Sequence, residues 1–192
     1  MSTEEKNKII VITAPSGAGK TSITNHLLKT FSNLAFSISA TTRAPRSHEK
    51  EGVDYYFIST DAFNQKIVDK AFIEWEMVYE GKYYGTLKSE LHRIWNKTRI
   101  PVLDIDVKGA IHVQQQYPVN ILTIFIEPPS IEELKRRLQS RGTETDETLQ
   151  ARINKAAFEI SFKSQFNHTI MNDDLIKAQK EATRIVKEFL DH

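Results

Sequence analysis

The chain opens with a short apolar run, a turn rich in glycine and then an amphipathic segment. Residues 9–14 are continuous, apolar and largely β-branched, which is typical of a strand buried on both faces of a parallel sheet. After the turn, apolar side chains recur at Ile23, Leu27 and Phe31, the spacing of one helix face. The beginning of the chain therefore predicts a strand, a tight turn and a helix.

The same order of strand and helix returns in the second half of the chain. Residues 101–106 and 121–126 predict buried strands, and a helical pattern follows each of them. Ser130 and Glu133 form a capping-box pattern at the start of the second of these helices. A short strand near 169–171 and a last amphipathic helix complete the chain. Strands that alternate with helices predict an α/β fold with a mostly parallel core sheet flanked by helices.

The middle of the chain departs from this pattern. From residue 36 onward the sequence is aromatic, polar and rich in turns, with short strand candidates at 55–58 and 73–75. It predicts an inserted, smaller lobe of mixed α/β structure. Phe63 and Phe158 lie at helical spacing and are expected in the core. Residues 141–146 have few apolar side chains and separate two helical patterns, as a mobile flap does.

Composition narrows the possible chemistry. The 192 residues are enough for one compact domain, and the net charge of +1 provides no overall basic field for nucleic acid or a membrane surface. The chain has no cysteine, which excludes disulfides, cysteine–zinc sites and thiol catalysis. No apolar run reaches the roughly 18 residues of a membrane span, and the start lacks the apolar middle of a secretory signal. We therefore expect a cytoplasmic protein without nucleic-acid or membrane partners.

The turn after the first predicted strand carries a phosphate-binding motif. The sequence APSGAGKT at 14–21 lies between a strand and a helix, which is the context of a P-loop. Its backbone N–H groups and helix dipole would face phosphates, Lys20 would pair with the β and γ phosphates, and the Thr21 hydroxyl would hold Mg²⁺. Ala14 stands where the usual pattern has glycine, and it fits there if its φ is negative. The residues expected to contact ATP in this loop are Pro15, Ser16, Gly17, Ala18, Gly19, Lys20, Thr21 and Ser22.

A second motif lies at the end of the next predicted core strand. Asp104 and Asp106 follow the apolar residues Val102 and Leu103. A carboxylate at the end of a buried strand can reach Mg²⁺ directly or through water, as the Walker B aspartate does. Beside a P-loop this pattern indicates a nucleoside triphosphate with magnesium, but it does not name the acceptor.

The inserted lobe contains residues suited to a phosphate monoester. Arg43 and Arg46 lie three residues apart on a segment stiffened by proline, and guanidinium groups match the geometry of phosphate oxygens. Tyr55 and Tyr84 can add hydroxyl donors, and Glu49 can orient the arginines. From two arginines alone, a solvated basic loop is the simpler interpretation.

Taken together, these segments resemble the guanylate kinase family, whose members phosphorylate GMP with ATP. They occur in the family's order from about Ile9 to Leu190: APSGAGKT (14–21), SATTRAPR (39–46), GVDYYF (52–57), FIEW (72–75), YYGT (83–86), LDIDVKGA (103–110), RRLQSRGTETDE (136–147) and NDDL (172–175). The resemblance implies a P-loop kinase that transfers phosphate in line, with Mg²⁺, from ATP to GMP and also dGMP in purine nucleotide metabolism. Its implied parts are a core at about 8–35 and 98–190, a GMP-binding lobe at about 36–90 and a lid at about 137–155.

The resemblance also implies how the acceptor is recognised. Guanine presents two adjacent donors, N1–H and the 2-amino group, and the Glu74 carboxylate can accept both, whereas adenine would leave it unpaired. From the residues alone, Glu74 is equally a surface acid on an amphipathic strand. The implied GMP contacts are Ser39, Arg43, Arg46, Glu49, Tyr55, Glu74, Tyr84, Thr86, Asp104 and Asp106, with Thr21 and Asp104 as the implied Mg²⁺ ligands.

Arginines around the flap form the last group. Arg137 and Arg141 share a helix face, Arg152 follows on the next helix, and solvated arginines are the simpler interpretation without the family. In the family such lid arginines reach the phosphates, and a residue at the position of Asn172 contacts the adenine side. The implied catalytic residues are Lys20, Arg43, Arg137, Arg141 and Arg152.

Two alternatives stay open beside a GMP kinase. One is a non-catalytic guanylate-kinase-like module that binds phosphorylated peptides, and the other is a P-loop kinase for another nucleoside monophosphate. The motifs leave the oligomeric state open between monomer and homodimer.

Overall fold

The computed structural model describes residues 7–140 and 146–191. In chain order its elements are β1 (Ile9–Thr13), α1 (Lys20–Thr30), β2 (Leu34–Phe36), β3 (Ala40–Thr41), β4 (Tyr56–Phe57), α2 (Thr60–Val68), β5 (Phe72–Tyr79), β6 (Lys82–Leu87), α3 (Lys88–Trp95), β7 (Ile100–Asp104), α4 (Val107–Gln116), β8 (Ile121–Glu127), α5 (Ile131–Gln139), α6 (Asp146–Ile160), β9 (His168–Met171) and α7 (Leu175–Asp191). No helix in these two ranges is long and apolar enough to cross a membrane.

A parallel sheet in the order β2-β7-β1-β8-β9 forms the centre of the molecule. β1 is buried along its whole length, as its β-branched run predicts. Its register pairs Ile10 with Val102 and Ile12 with Asp104, so the end of β7 lies beside the end of β1. The predicted α/β class with a mostly parallel core sheet is therefore confirmed, and the register brings the two motifs predicted to bind nucleotide to the same sheet edge.

Helices cover the sheet on both faces. On one face Ile23 of α1 and Ile185 of α7 belong to a buried cluster with alternate residues of the core strands. On the other face Leu91 of α3 and Val113 of α4 belong to a second buried cluster. Because successive strand residues point to opposite faces, a strand inside this sandwich needs apolar side chains throughout.

A second, mixed sheet in the order β4-β3-β6-β5 forms the inserted lobe. β5 and β6 are antiparallel, and β5 is longer than the predicted strand at 73–75. Phe63 of α2 is fully buried and stacks on Phe72 with ring centroids 4.4 Å apart. Phe158, in contrast, is 51% exposed, so the prediction that it is a core residue is wrong. Helical spacing marks a face of α6, but that face is not covered at Phe158.

α5 and α6 pack on each other on the P-loop side of the sheet. Leu134, Leu138, Leu149 and Ala156 form their buried contact. The Ser130 hydroxyl accepts a hydrogen bond from the Glu133 N–H at 3.0 Å, as the capping pattern predicts. Residues 141–145 of the predicted lid, including Arg141, lie outside the described residues.

Candidate active site

The loop between β1 and α1 turns on two glycines. Gly17 and Gly19 have φ values of 93° and 98°, in the left-handed region that favours glycine. A Cβ atom at Gly17 would stand 3.0 Å from the Leu138 side chain, so α5 packs directly against the loop. Ala14 is buried, and its φ is negative. Among the described residues, the non-glycine residues with positive φ are Lys70 and Thr98. Its methyl group is therefore accommodated without strain.

Lys20 points from the first turn of α1 across the end of the sheet. Its Nζ lies 2.5 Å from Asp104 Oδ1 and donates a hydrogen bond to the Ile105 carbonyl at 3.0 Å. Burial would lower the pKa of Lys20, but the carboxylates of Asp104 and Asp106 outweigh burial and raise it. The ammonium group therefore keeps its charge beside the P-loop amides.

A cavity of about 340 Å³ lies between the P-loop, the lobe strands β5 and β6, the end of β7 and α6. It contains both Lys20 from the core and Glu74 from the lobe. Of the residues predicted from the sequence, those that line it are Pro15, Ser16, Gly17, Gly19, Lys20, Thr21, Ser22, Ser39, Tyr55, Glu74, Tyr84, Asp104, Asp106 and Arg152. The phosphate motif and the candidate base-recognition carboxylate thus share one space.

Glu74 is a buried acid of this cavity wall, with 6% of the residue exposed. Its Oε1 accepts a hydrogen bond of 2.6 Å from the hydroxyl of Thr86, which pairs with Glu74 from the neighbouring strand β6. Burial raises the pKa of Glu74 to about 7, although the Thr86 hydroxyl acts in the opposite direction. A Cβ atom at Gly109 would stand 2.6 Å from Glu74 Oε2, so the glycine in α4 makes room for this carboxylate.

Arg43 is held in place at the edge of the cavity. Its guanidinium makes two hydrogen bonds of 2.6 Å to Glu49, and its Nε donates to the Tyr84 hydroxyl at 3.0 Å. Its Cζ lies 5.0 Å from the centre of the Tyr55 ring. The hydrogen bonds from Arg43 lower the pKa of Glu49 to about 2. Arg43 thus contacts both tyrosines of the cavity wall, although among the described residues it does not line the cavity itself.

Arg46 lies farther out in the same loop. Its side chain is 65% exposed and its Nη1 lies 3.9 Å from Glu49, whose carboxylate also accepts the Arg46 N–H at 2.8 Å. Glu49 therefore anchors the backbone and the first arginine, while the second arginine stays on the surface.

Arg137 and Asn172 lie behind the P-loop. The Asn172 side chain is buried and donates to the Ala18 carbonyl at 2.7 Å, and Arg137 donates to the Asn172 carbonyl at 2.9 Å. Neither of these two residues, nor Ala18, lines the cavity among the described residues. The structure therefore places them where they support the loop, at a distance from the cavity interior.

Arg152 approaches the loop from α6. Its Nη1 donates to the Ser16 hydroxyl at 3.0 Å, which joins α6 to the loop between β1 and α1. Sequence reasoning missed two neighbours on the same helix face, Lys155 and Glu159, which also line the cavity. Their spacing of three and seven residues from Arg152 is the signal that would have found them.

Glu159 and Glu76 add further carboxylates to the cavity wall. Glu159 is 6% exposed and lies 3.7 Å from Lys155, and burial raises its pKa to about 7. Glu76 lies two residues after Glu74 on β5, and therefore on the same face of the strand. This alternation was visible in the sequence once residues 72–79 were taken as one strand.

Comparison with known proteins extends over nearly the whole chain. Residues 6–191 match the family model described as guanylate kinase. The chain is 47% identical over 183 residues to a guanylate kinase of Bacteroides fragilis, which covers 95% of this chain and 90% of the relative. It is 45% identical to one of Porphyromonas gingivalis, with 95% and 98% covered. A crystal structure of guanylate kinase from Anaplasma phagocytophilum is similar with a TM-score of 0.77 at 33% identity, and 96% of this chain and 86% of that one are covered.

Proposed function

Because the chain belongs to the guanylate kinase family, an enzyme family that phosphorylates GMP with ATP, we propose that it transfers the γ-phosphoryl group of ATP in line to GMP and dGMP. The observation that carries the proposal is the shared cavity of Lys20 and Glu74. A phosphate-binding lysine and a carboxylate suited to guanine face one space, as a reaction between a nucleoside triphosphate and a guanine nucleotide requires. The products, ADP and GDP, place the reaction in purine nucleotide metabolism.

The donor side consists of the P-loop and Lys20. Backbone N–H groups of the loop and the start of α1 attract phosphate oxygens. Lys20, now bound to Asp104, would exchange this carboxylate for oxygens of the β and γ phosphates. The ion pair keeps the ammonium charged and oriented until a phosphate takes the place of the carboxylate.

The residues around Lys20 also fit Mg²⁺. The Thr21 hydroxyl and the Asp104 and Asp106 carboxylates line the same cavity, and Mg²⁺ prefers such oxygen ligands together with phosphate oxygens and water. Thr21 and Asp104 would hold the ion, Asp104 directly or through water. When bound, the ion neutralises charge on the β and γ phosphates.

The acceptor side distinguishes guanine from adenine at Glu74. Thr86 occupies one carboxylate oxygen, and the ionised group can accept the N1–H and the 2-amino group of guanine. Adenine offers an acceptor at N1, so it would leave this buried carboxylate unpaired, and sites of this kind reject such analogues by about 10⁴-fold or more. Since these contacts address the base and not the sugar, dGMP is expected to react as well.

The phosphate of GMP would bind at Tyr55 and Tyr84, with Arg43 behind them. Arg43 donates to Tyr84 and lies over the Tyr55 ring, so its charge acts at the same end of the cavity. Arg46 lies on the same loop with its side chain exposed, where it can turn toward a phosphate. These donors would hold the attacking oxygen in line with the γ phosphorus.

The chemical step then needs little more than position and charge. An ionised phosphate oxygen of GMP attacks the γ phosphorus, the bond from that phosphorus to the β–γ bridging oxygen breaks, and ADP leaves with the bridging oxygen. No strong base is required, because the attacking oxygen carries no proton. Arg152 is close enough to the P-loop to bind the equatorial oxygens on which the transition-state charge is spread.

A coupled assay of ADP release tests the proposal, with GMP, dGMP, AMP, UMP and dTMP offered in turn with ATP and Mg²⁺. We expect turnover with GMP and dGMP and background rates with the other three. If GMP binds in a calorimetric titration but no ADP is released, the result would instead indicate the non-catalytic module. Preferred turnover with AMP, UMP or dTMP would indicate a kinase for another monophosphate, and either result would reject the proposal.

A further inference from the structure

Glu90 is a buried acid at the junction of the core and the lobe. It lies in the first turn of α3, which follows lobe strand β6 and packs against core strand β7, and only 2% of the residue is exposed. A buried ionised group is costly unless it is paired and hydrogen-bonded. Its partners therefore indicate what the carboxylate holds together.

One carboxylate connects three separate segments of the chain. Oε1 accepts the backbone N–H of Ile38 at 2.9 Å, where the chain passes from β2 into the lobe, and Oε2 accepts the hydroxyl of Tyr56 at 3.1 Å. Arg93, one turn further along α3, donates to both oxygens at 2.7 and 2.8 Å. Glu90 thus joins the entry into the lobe, strand β4 and helix α3.

Both lobe contacts adjoin residues of the cavity. Ile38 precedes Ser39, and Tyr56 follows Tyr55, and both of these neighbours line the cavity. The Tyr56 N–H also donates to the Ser39 carbonyl at 2.9 Å, so the two segments are bonded to each other as well as to Glu90. Glu90 itself does not line the cavity among the described residues, and any effect on GMP must pass through its neighbours.

The charge of Glu90 is maintained despite burial. Burial would raise the pKa of Glu90, but hydrogen bonds from Arg93 and from the Ile38 N–H outweigh it and hold the pKa below its usual value. Four donors therefore face two ionised oxygens. A glutamine at this position would have one acceptor oxygen and would turn N–H groups toward donors.

From this arrangement we propose that Glu90 is a positioning residue for GMP: it fixes Ser39 and Tyr55 relative to each other, and so sets the distance between the base and phosphate contacts of the acceptor. The inference rests on the proposed function, because it concerns the GMP side of that cavity. ATP binds at the P-loop, which Glu90 does not contact, so the effect is confined to one substrate.

Steady-state kinetics of Glu90→Gln and Tyr56→Phe, each with GMP and ATP varied separately, test the proposal. For Glu90→Gln we expect KM for GMP to rise roughly tenfold, the lower end of what the loss of hydrogen bonds to a charged group costs. KM for ATP and kcat at saturating GMP should stay within about twofold of the parent. Tyr56→Phe removes one hydrogen bond and should raise KM for GMP about threefold. Glu188→Gln makes the same chemical change in an exposed ion pair with Arg184 and serves as the control.

A merely structural role gives a different result. If Glu90 only stabilised the fold, the variant would lower kcat through a smaller active fraction and leave both KM values unchanged, and this outcome would overturn the proposal. An equal rise of KM for GMP and ATP would overturn it too. If Glu90→Gln does not fold, the Tyr56→Phe result decides. A parent enzyme that fails to turn over GMP would reject the proposed function, whereas an active parent with unchanged KM in both variants rejects only the role of Glu90.

Discussion

Replacing Glu74 with glutamine should change the stability of the nucleotide-free protein in a way that depends on pH. Glu74 is 6% exposed, and burial raises its pKa from an ordinary value of 4.5 to about 7. Glutamine has nearly the same shape but carries no charge. The variant therefore avoids the cost of burying an ionised carboxylate, and that cost exists only at pH values at which the parent is ionised.

The sign of this pH dependence follows from whether the folded or the unfolded state binds the proton of Glu74 more tightly. The folded parent binds the proton of Glu74 more strongly than the unfolded chain does, so its stability falls as pH rises from about 4.5 and levels off above about 7. A difference of about 2.5 pH units, at roughly 1.36 kcal/mol each, corresponds to about 3 kcal/mol for the fully ionised group. Between pH 5 and pH 8 the stability difference between variant and parent should grow by about 2.5 kcal/mol in favour of the variant.

Urea unfolding of both proteins at pH 5 and pH 8 measures this quantity from the midpoint and the m value. Groups remote from Glu74 titrate equally in both proteins and cancel in the comparison, whereas the nearby carboxylates of Asp106 and Glu76 interact with its charge. Glu188→Gln is the matched control, and its difference from the parent should stay within about 0.5 kcal/mol at both pH values because its ion pair is exposed. A stability difference for Glu74→Gln that is the same at pH 5 and pH 8 would refute the reasoning.

Three further variants test the loop at Lys20, the space behind Glu74 and helix α6. Lys20→Ala should abolish turnover while GMP still binds in a calorimetric titration, and turnover near the parent rate would contradict the P-loop assignment. Gly109→Ala places a methyl group 2.6 Å from Glu74 Oε2 and should raise KM for GMP about tenfold. The substitution itself favours the helix by about 1 kcal/mol, so a loss of helix stability would not explain this rise. An unchanged KM would show that the carboxylate has room to move. Arg152→Ala should lower kcat at least about 100-fold, a cautious bound below the roughly 10³–10⁵-fold effects of arginines at transferred phosphates. KM for GMP should be unchanged, and a kcat within tenfold of the parent would exclude this role.

Much of the fold could be predicted because its signals are local. The β-branched run of β1, the glycines of the P-loop and the capping pattern before α5 each lie within a few residues of sequence. Strand and helix follow from such patterns, and the parallel sheet follows from their alternation. The order of the strands and the register that sets Asp104 beside Lys20 depend on contacts between distant segments. No local sequence pattern indicates which distant segments pair.

Contacts between distant segments also explain why some site residues could not be predicted from the sequence. Glu90 looks like an ordinary acid in the first turn of a helix, and only the contacts with Ile38 and Tyr56, more than 30 residues away, make it a junction. Glu159 likewise follows the helical spacing of a solvated face, but α6 turns it into the cavity. The same helix leaves Phe158 exposed, so periodicity identified a face there without showing which side the protein covers.

Two hydrogen bonds hold the phosphate loop from behind. The Asn172 side chain donates to the Ala18 carbonyl, and Arg137 donates to the Asn172 carbonyl. The middle of the loop is therefore connected to the segment after β9 and to α5. A loop fastened in this way has its amides aimed before any nucleotide arrives, and ordering it consumes little of the binding energy. Substitutions of Arg137 or Asn172 are therefore expected to weaken triphosphate binding through the loop, since neither side chain lines the cavity among the described residues.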